Sequence, residues 1–343
     1  MLNNTVNNTV NNRLKVKAKV LCASLLVASL FNPAFADDKS KKKLAVNKVK
    51  GDLSIMVLGS GGPVATPEGR AGAGYMIFTD GKPRILLDVG GGTFQRLAKG
   101  GVNVKDLDLV LLSHLHIDHT GDLSSVIKTI YFHTAMAGMT RDNPIHIWGP
   151  ASNIGGIPST TEYVDGHYAM PNGVERYLNG FTGVINAGTF NYRAHDLSPD
   201  WMSGIPEVVL EQDGLKITAM PVKHGPVPAV AYRIDYKGKS IVYSGDTNSE
   251  SGNMAMLAKD ADLLIYDTAI MDTNPNPAML QLHTTPSRMG EVAATAMVKK
   301  LVLSHITPIT SPQLHEVRHL VRAQGFTGKI KAAKDLKVFN LGD

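Results

Sequence analysis

From Leu53 to Leu58 the chain reads Leu-Ser-Ile-Met-Val-Leu and then breaks at Gly59-Ser60-Gly61-Gly62-Pro63, which predicts a buried strand ending in a tight loop. Ala73 to Phe78 alternates as a second strand. Asp80-Gly81-Lys82-Pro83 has the composition of a hairpin turn, and Arg84 to Asp88 returns as a third strand. Gly90-Gly91-Gly92 precede a helix carrying Phe94, Leu97 and Lys99. Leu107 to Leu112 (Leu-Asp-Leu-Val-Leu-Leu) has the length and content of another buried strand. Beyond it, Leu123 to Phe132 places Val126, Ile127 and Ile130 on one helical face.

Pro144 to Pro150 is a short strand and turn. Residues 151–206 are the least regular part, rich in Gly, Asn, Thr and Tyr, with short helical pieces around Gly173–Leu178. A stretch of that kind reads as an insertion, either disordered or shaping a substrate site. Its His167, His195, Tyr163, Tyr168 and Trp201 are first of all surface or packing residues. His146 alternates with apolar neighbours and reads as a packed side chain. Order returns with strands at 207–210, 215–220, 229–235 and 239–243, turning at Gln212-Asp213-Gly214 and Lys237-Gly238. Further strands are predicted at 261–266, 301–303 and 337–341, with helices at Met289–Lys299 and Pro312–Ala323 and a mobile-looking loop at Asn274-Pro275-Asn276-Pro277. Strands dominate early and helices lie between the later strands, a pattern that suits an α/β (α+β) fold of two sheets faced by helices. No repeat of fixed short period is present.

Composition changes this picture mainly at the N-terminus. The chain has 343 residues, 43% of them apolar and 19% charged, with a formal charge of +5. Arg13, Lys15, Lys17 and Lys19 carry four of those charges and no acid occurs before Asp37, so about +1 remains for the rest. A broad basic surface for nucleic acid is therefore not supported. The basic start, the apolar Val20–Phe31 and the small residues Ala34 and Ala36 read as a secretory signal at 1–36, with an uncut membrane anchor as the alternative. Residues 37–50, with Lys39, Lys41, Lys42 and Lys43, read as a basic flexible leader, and 51–343 as one domain that includes the 151–206 insertion. The single cysteine, Cys22, falls inside the signal, so the mature chain would have no disulfide and no thiolate ligand. A periplasmic or secreted location follows from the signal, with no stable membrane insertion after cleavage.

The chemistry concentrates at Ser113-His114-Leu115-His116-Ile117-Asp118-His119-Thr120-Gly121-Asp122, directly after a strand. His114 and His116 are two apart and point the same way from an extended backbone, while Asp118 and His119 come a turn later. Imidazole and carboxylate suit a borderline divalent ion such as zinc. Three more polar residues terminate apolar strands in the same manner: His224, Asp246 and His305. Strand ends along one rim converge on one place. Asp88 also ends a strand, and reads either as a partner orienting a ligating histidine or as a turn cap.

His-x-His-x-Asp-His with Gly121-Asp122, His224, Gly245-Asp246-Thr247 and Ser304-His305 together resemble the metallo-β-lactamase superfamily, over nearly all of residues 52–343. The resemblance implies a four-layer αββα sandwich with two metal ions at the rim between the sheets. On matching positions, His114, His116 and His224 would hold one ion, Asp118, His119 and His305 the other, and Asp246 would bridge them. Zinc is the expected metal, with manganese or iron also acceptable to these donors. Leu58-Gly59-Ser60-Gly61-Gly62-Pro63, Leu87-Asp88-Val89-Gly90 and His283-Thr284-Thr285 are similar to motifs of the ribonuclease Z and arylsulfatase branch. That likeness gives His283 the role of stabilising the transition state or protonating a leaving oxygen, and gives Asp118 or Asp246 that of orienting the nucleophile. It also brings the possibility of a homodimer.

Ribonuclease Z carries a long tRNA-gripping arm between the third ligand and the bridging aspartate, whereas here His224 and Asp246 are joined by a hairpin alone. The expectation is thus an exported, arylsulfatase-like hydrolase of sulfate or phosphodiester bonds, with a small anionic ester as substrate and nucleic acid an unlikely partner. Ribonuclease Z-type phosphodiester or endoribonuclease activity, lactonase-type acyl hydrolysis and a non-catalytic metal-binding role are the alternatives.

Overall fold

A computed structural model describes residues 44–139, 143–179 and 191–342. The expected signal at 1–36, Cys22 and the first half of the basic leader lie outside the described residues. Among the described residues no helix is long and apolar enough to cross a membrane.

Two seven-stranded sheets carry the fold. The first is built from β1 (Leu53–Gly59), β2 (Gly74–Thr79), β3 (Lys82–Val89), β4 (Leu109–Leu111), β5 (Ile145–Pro150), β6 (Tyr192–Leu197) and the C-terminal β14 (Val338–Leu341). The second comprises β7 (Glu207–Gln212), β8 (Leu215–His224), β9 (Val227–Tyr236), β10 (Lys239–Tyr243), β11 (Leu263–Asp267), β12 (Lys300–Ser304) and β13 (Lys329–Ala332). Their orders are β14-β1-β2-β3-β4-β5-β6 and β13-β12-β11-β10-β9-β8-β7.

Both faces of each sheet are covered, which explains why the strands read as continuous apolar runs. Successive side chains leave a strand on opposite faces. In β1, Ile55 and Val57 therefore join Tyr75, Ile217, Tyr232 and Ile265 between the sheets, while Met56 and Leu58 pack outward. The outer face of the first sheet is covered by α1 (Thr93–Gly100), α3 (Leu123–Met136) and α4 (Thr160–Tyr168), through Leu97, Val126, Ile130 and Val164. The second sheet is covered by α6 (Asn253–Leu257), α8 (Pro286–Thr295) and α9 (Leu314–Ala323), through Met254, Met289, Val317 and Val321. This is the four-layer αββα sandwich expected. The short α2 (Ile117–Thr120), α5 (Tyr177–Asn179) and α7 (Pro277–Leu282) lie in connections.

Several expectations need correction. Half of the supposed flexible leader is part of the domain: Ala45–Lys48 forms a 3-10 turn, Ala45 is buried, and Val46 and Val49 pack on the outer core. Residues 151–206 are not wholly an insertion, because β6 pairs in parallel with β5 along its whole length and α4 packs on the sheet. A capping box between Ser159 and Glu162 starts that helix. The helix assigned to 289–299 runs instead over Pro286–Thr295, started by the Thr285 cap and a proline in its first turn. Pro277, read as loop, opens α7, with Asn276 accepting the Ala278 N–H as its cap.

What positions the site is strand direction. β3, β4, β5 and β6 are parallel, as are β10, β11, β12 and β13. β8 shares the direction of β10, since β9 lies antiparallel to both. The carboxyl ends of β3, β4, β8, β10, β11 and β12 therefore open on one rim, and Asp88, Ser113, His224, Asp246, Asp267 and His305 stand at those ends or within three residues of them.

Candidate metal centre

Ser113 fixes where the histidine motif begins. Its N–H donates to Asp88 Oδ1 and its hydroxyl to Asp88 Oδ2, both at 2.7 Å, and its carbonyl accepts the Val230 N–H from the facing sheet. The backbone stays extended to His116, so His114 and His116 point the same way, with His114 Nε2 3.0 Å from His116 Nδ1. It then coils as α2, turning Asp118 and His119 in behind them. Asp122, the last acid of the motif, faces away from the centre: its carboxylate accepts the N–H groups of Gly92 and Phe94 at the start of α1.

The strand-end residues complete the arrangement. His224 donates from Nδ1 to the Leu282 carbonyl at 2.6 Å, which turns its unprotonated Nε2 toward His116 Nδ1, 3.4 Å away. Asp246 Oδ2 lies 3.9 Å from His114 Nε2, 3.5 Å from His119 Nε2 and 3.2 Å from His305 Nε2. Asp118 Oδ2 lies 3.5 Å from His119 Nε2 and 3.2 Å from His305 Nε2. Donor atoms thus gather as His114, His116 and His224; as Asp118, His119 and His305; and as His114, His119 and Asp246 between them. Each set falls within 4.8 Å. All seven ligand candidates named from the sequence meet at one rim.

The donor set suits cations. Among the described residues, His119 Nε2 and Asp246 Oδ1 are buried without a hydrogen-bond partner, an arrangement that is costly unless something binds there. Asp88, Asp246 and Asp267 are all buried carboxylates in the same few ångströms of protein. Burial pushes His114 well below the usual imidazole range, reinforced by His119, and pushes His224 down to about 4. Both rings are therefore neutral and offer lone pairs. His305 behaves oppositely: burial would depress it, but Asp246, Asp118 and Asp267 together push it up to about 10. Burial likewise opposes charge on His119, yet Asp246 and Asp88 hold it well above the usual range. Positive charge belongs at this place, and two divalent ions fit the donors as well as two imidazolium rings do.

Of the two readings open for Asp88, orientation of a ligand is the one the geometry bears out. Its Oδ2 accepts from His119 Nδ1 at 2.7 Å and from the Tyr243 hydroxyl at 2.6 Å. Asp267 was missed. It ends the apolar β11 as Asp246 and His305 follow theirs, so the same strand-end rule could have found it. Its Oδ2 accepts from His283 Nδ1 at 2.7 Å, and His283 is 7% exposed. Burial works against a charged His283, but Asp267, with Asp246, raises it above the ordinary value. His283 caps the C-terminus of α7, and Thr285 caps the start of α8.

The other singled-out residues lie elsewhere. His146 and His195 contact each other at 2.8 Å, with His195 stacked on Trp148 along β5 and β6. Tyr168 is buried and shares a hydrogen bond with Ser124, and His167 packs beside Tyr163. None of these reaches the ligand cluster. Trp201 lines a cavity beside it.

Comparison with known proteins agrees with this geometry. The family model described as "Beta-lactamase superfamily domain" matches residues 83–306. A curated relative named ribonuclease Z, from Mycolicibacterium paratuberculosis, is 31% identical over 293 residues, covering 83% of this chain and 96% of the relative. Among solved structures, the metallo-beta-lactamase fold protein YhfI from Bacillus subtilis superposes with a TM-score of 0.60 at 21% identity, covering 84% of this chain and 99% of that one. The short form of human tRNase Z does so with a TM-score of 0.59 at 21% identity, covering 83% and 98%.

Proposed function

The chain belongs to the beta-lactamase superfamily, and we propose that it is a dinuclear-metal phosphodiesterase of ribonuclease Z type acting on small phosphodiesters. That it is a metal-dependent hydrolase follows from the family and from the donor set. Zinc is the metal these nitrogen and oxygen donors favour, with no thiolate among them. The observation that carries the reading is the position of Asp246 Oδ2 among three imidazoles supplied by the ends of two strands, β4 and β12, where one carboxylate can serve two ions.

His114, His116 and His224 would hold one ion, Asp118, His119 and His305 the other, with Asp246 shared. When bound, such a pair supplies Lewis acidity toward non-bridging oxygens and a water acidified to near neutrality. The remaining steps fall to the chain itself. Asp118, partly exposed at the mouth, orients the attacking water. His283 has Nδ1 committed to Asp267, which leaves Nε2 to face the ester. Asp267 raises the pKa of His283 against the effect of burial and so favours the protonated ring, which can stabilise an anionic oxygen or protonate a departing alkoxide.

Small substrates are favoured because β8 and β9 close on each other at once. His224 pairs with Val227 across a two-residue turn, leaving no room for a tRNA-gripping arm. The near-neutral charge outside residues 1–36 points the same way. A sulfuric ester of similar size is the second reading, favoured by the same closed hairpin. Export is part of the proposal, resting on residues 1–36 alone. The test is metal content followed by turnover of a panel of bis-aryl phosphate, aryl sulfate, lactone and precursor tRNA. Phosphodiester turnover that requires metal is expected. Cleavage of precursor tRNA in preference to the small esters would overturn the substrate class, and a metal-loaded chain inert on all four would overturn the enzyme reading.

A further inference from the structure

A cavity of about 570 Å³ opens on the rim immediately beside the centre. Its size falls within the range of sites for small organic ligands. One wall is Gly225-Pro226-Val227-Pro228, beginning at the residue after His224, and so lies a single Cα step from a ligand candidate. The opposite wall comes from the segments that follow β5 and β6, with Ile154, Trp201 and Met202. Ile154 and Met202 remain 39% and 77% exposed. Among the described residues, Asp200 is the one charged residue that lines the cavity.

Trp201 is tied to the strand that ends in His224. Its carbonyl accepts from Asn253 Nδ2 at 2.8 Å, and the same amide donates to the Pro221 carbonyl at 2.8 Å. Asn253 is buried, and Lys223 Nζ sits 5.1 Å from the centre of the indole ring. The Trp201 backbone is thereby tied at a fixed place relative to His224, and the one ammonium near its indole, that of Lys223 among the described residues, is paired with Glu250. From this juxtaposition we propose that the cavity is the subsite for an uncharged aryl or heteroaryl group of the ester, stacked on Trp201, and that it selects esters carrying such a group. The proposal rests on the phosphodiesterase reading for the position of the reacting phosphate. The phosphoryl group would occupy the metal rim, and its ring-bearing substituent would lie across Pro226 and Pro228 against the indole.

The test compares bis(4-nitrophenyl) phosphate with methyl 4-nitrophenyl phosphate on the zinc-loaded chain. The two share a leaving group and differ only in the retained substituent. Wild-type protein should prefer the bis-aryl ester in kcat/KM by about five- to a hundred-fold, the factor that stacking of one ring on another contributes. Trp201→Ala should erase the preference by lowering turnover of the bis-aryl ester alone, and Trp201→Phe should restore part of it. Equal losses on both esters, or no aryl preference in the wild type, would overturn the subsite while leaving the phosphodiesterase reading intact.

Binding gives a readout independent of turnover. Trp148 and Trp201 are the two tryptophans of the chain, so in Trp148→Phe the indole fluorescence reports on Trp201. Naphthyl phosphate should change that signal at concentrations where methyl phosphate does not. That result in a chain that turns over no phosphodiester would keep the subsite and refute the catalytic reading. Identical responses to the two phosphates would refute the subsite.

Discussion

His283 and Asp267 form a buried pair, Nδ1 to Oδ2 at 2.7 Å, and the other oxygen of the same carboxylate lies 3.4 Å from Nδ1 of His305. One acid thus orients a candidate proton donor and stands beside a candidate ligand. If His283 protonates the departing oxygen, its removal should cost most where the leaving group is a poor one. His283→Ala is expected to lower kcat on an alkyl phosphodiester by about 10²–10⁴-fold, with a much smaller loss on a nitrophenyl ester. Equal losses on the two substrates would count against the acid role. Asp267→Asn should show the same selectivity in weaker form, accompanied by looser metal binding through His305.

Asp88 makes a separate prediction about metal affinity. It is fully buried and accepts four hydrogen bonds, two from Ser113 and one each from His119 and Tyr243. Asp88→Asn keeps the shape but removes the charge and supplies an unwanted donor. Competition with a chromogenic chelator should show affinity for one ion reduced about 10- to 100-fold, the usual cost of losing such a partner. An affinity equal to wild type would mean that Asp88 serves the turn alone.

Asp246 makes the sharpest claim, because two ions would depend on it. Asp246→Ala should lose both ions on gel filtration and lose turnover with them. A fully metallated, active variant would sink the dinuclear arrangement. In the wild type, reloading chelated protein with zinc at about a hundred times the dissociation constant should stabilise it by roughly 2.7 kcal/mol, read as a higher melting temperature.

The site was more legible in the sequence than parts of the fold. Seven ligand candidates could be named because buried strands announce themselves as apolar runs, and a polar residue closing such a run is conspicuous. Asp267 obeyed the same rule and was passed over, since Asp-Thr after a strand resembles an ordinary turn. β6 escaped for a different reason. It is an edge strand, Tyr-Arg-Ala-His-Asp-Leu, with one buried side chain at Leu197, so no periodic apolar signal marks it. β13, Lys-Ile-Lys-Ala, is likewise an edge and likewise partly exposed. The helix boundaries at 286–295 were set by a threonine cap and a proline that apolar periodicity does not register.

Away from the metal rim, His133 links α3 to the loop before β4. Its Nδ1 accepts the Val104 N–H at 3.2 Å, which requires the neutral ring, and burial lowers its pKa below the ordinary value. A depressed histidine contributes stability that is complete above the unfolded value of about 6.5 and is lost as pH falls through the folded one. Melting temperatures followed from pH 7.5 to pH 5 should fall less steeply in His133→Asn, which keeps an acceptor that does not titrate. The difference should be roughly 1–3 °C, the scale of a sub-kilocalorie change in a domain of this size. Parallel curves would remove His133 as a contributor.

The glycine-rich loops near the rim can be separated by what a methyl group would meet. A Cβ on Gly62 would stand 2.7 Å from Cε1 and 3.0 Å from each nitrogen of the His305 ring. That ring is buried and held between Asp118, Asp246 and Asp267, so it has little freedom to give way. On Gly91, in the second glycine run, the same methyl would meet nothing within 4 Å among the described residues. If the first loop is glycine-rich to let the backbone approach His305, the two substitutions must differ. Gly62→Ala should displace the imidazole, weaken the ion held by Asp118, His119 and His305, and reduce turnover about tenfold or more, as an ångström-scale misplacement of catalytic groups does. Gly91→Ala should retain metal and activity. Metal analysis beside turnover decides the matter: full occupancy and full rate in Gly62→Ala would show that the His305 ring yields to the methyl, and that the glycine serves the turn instead.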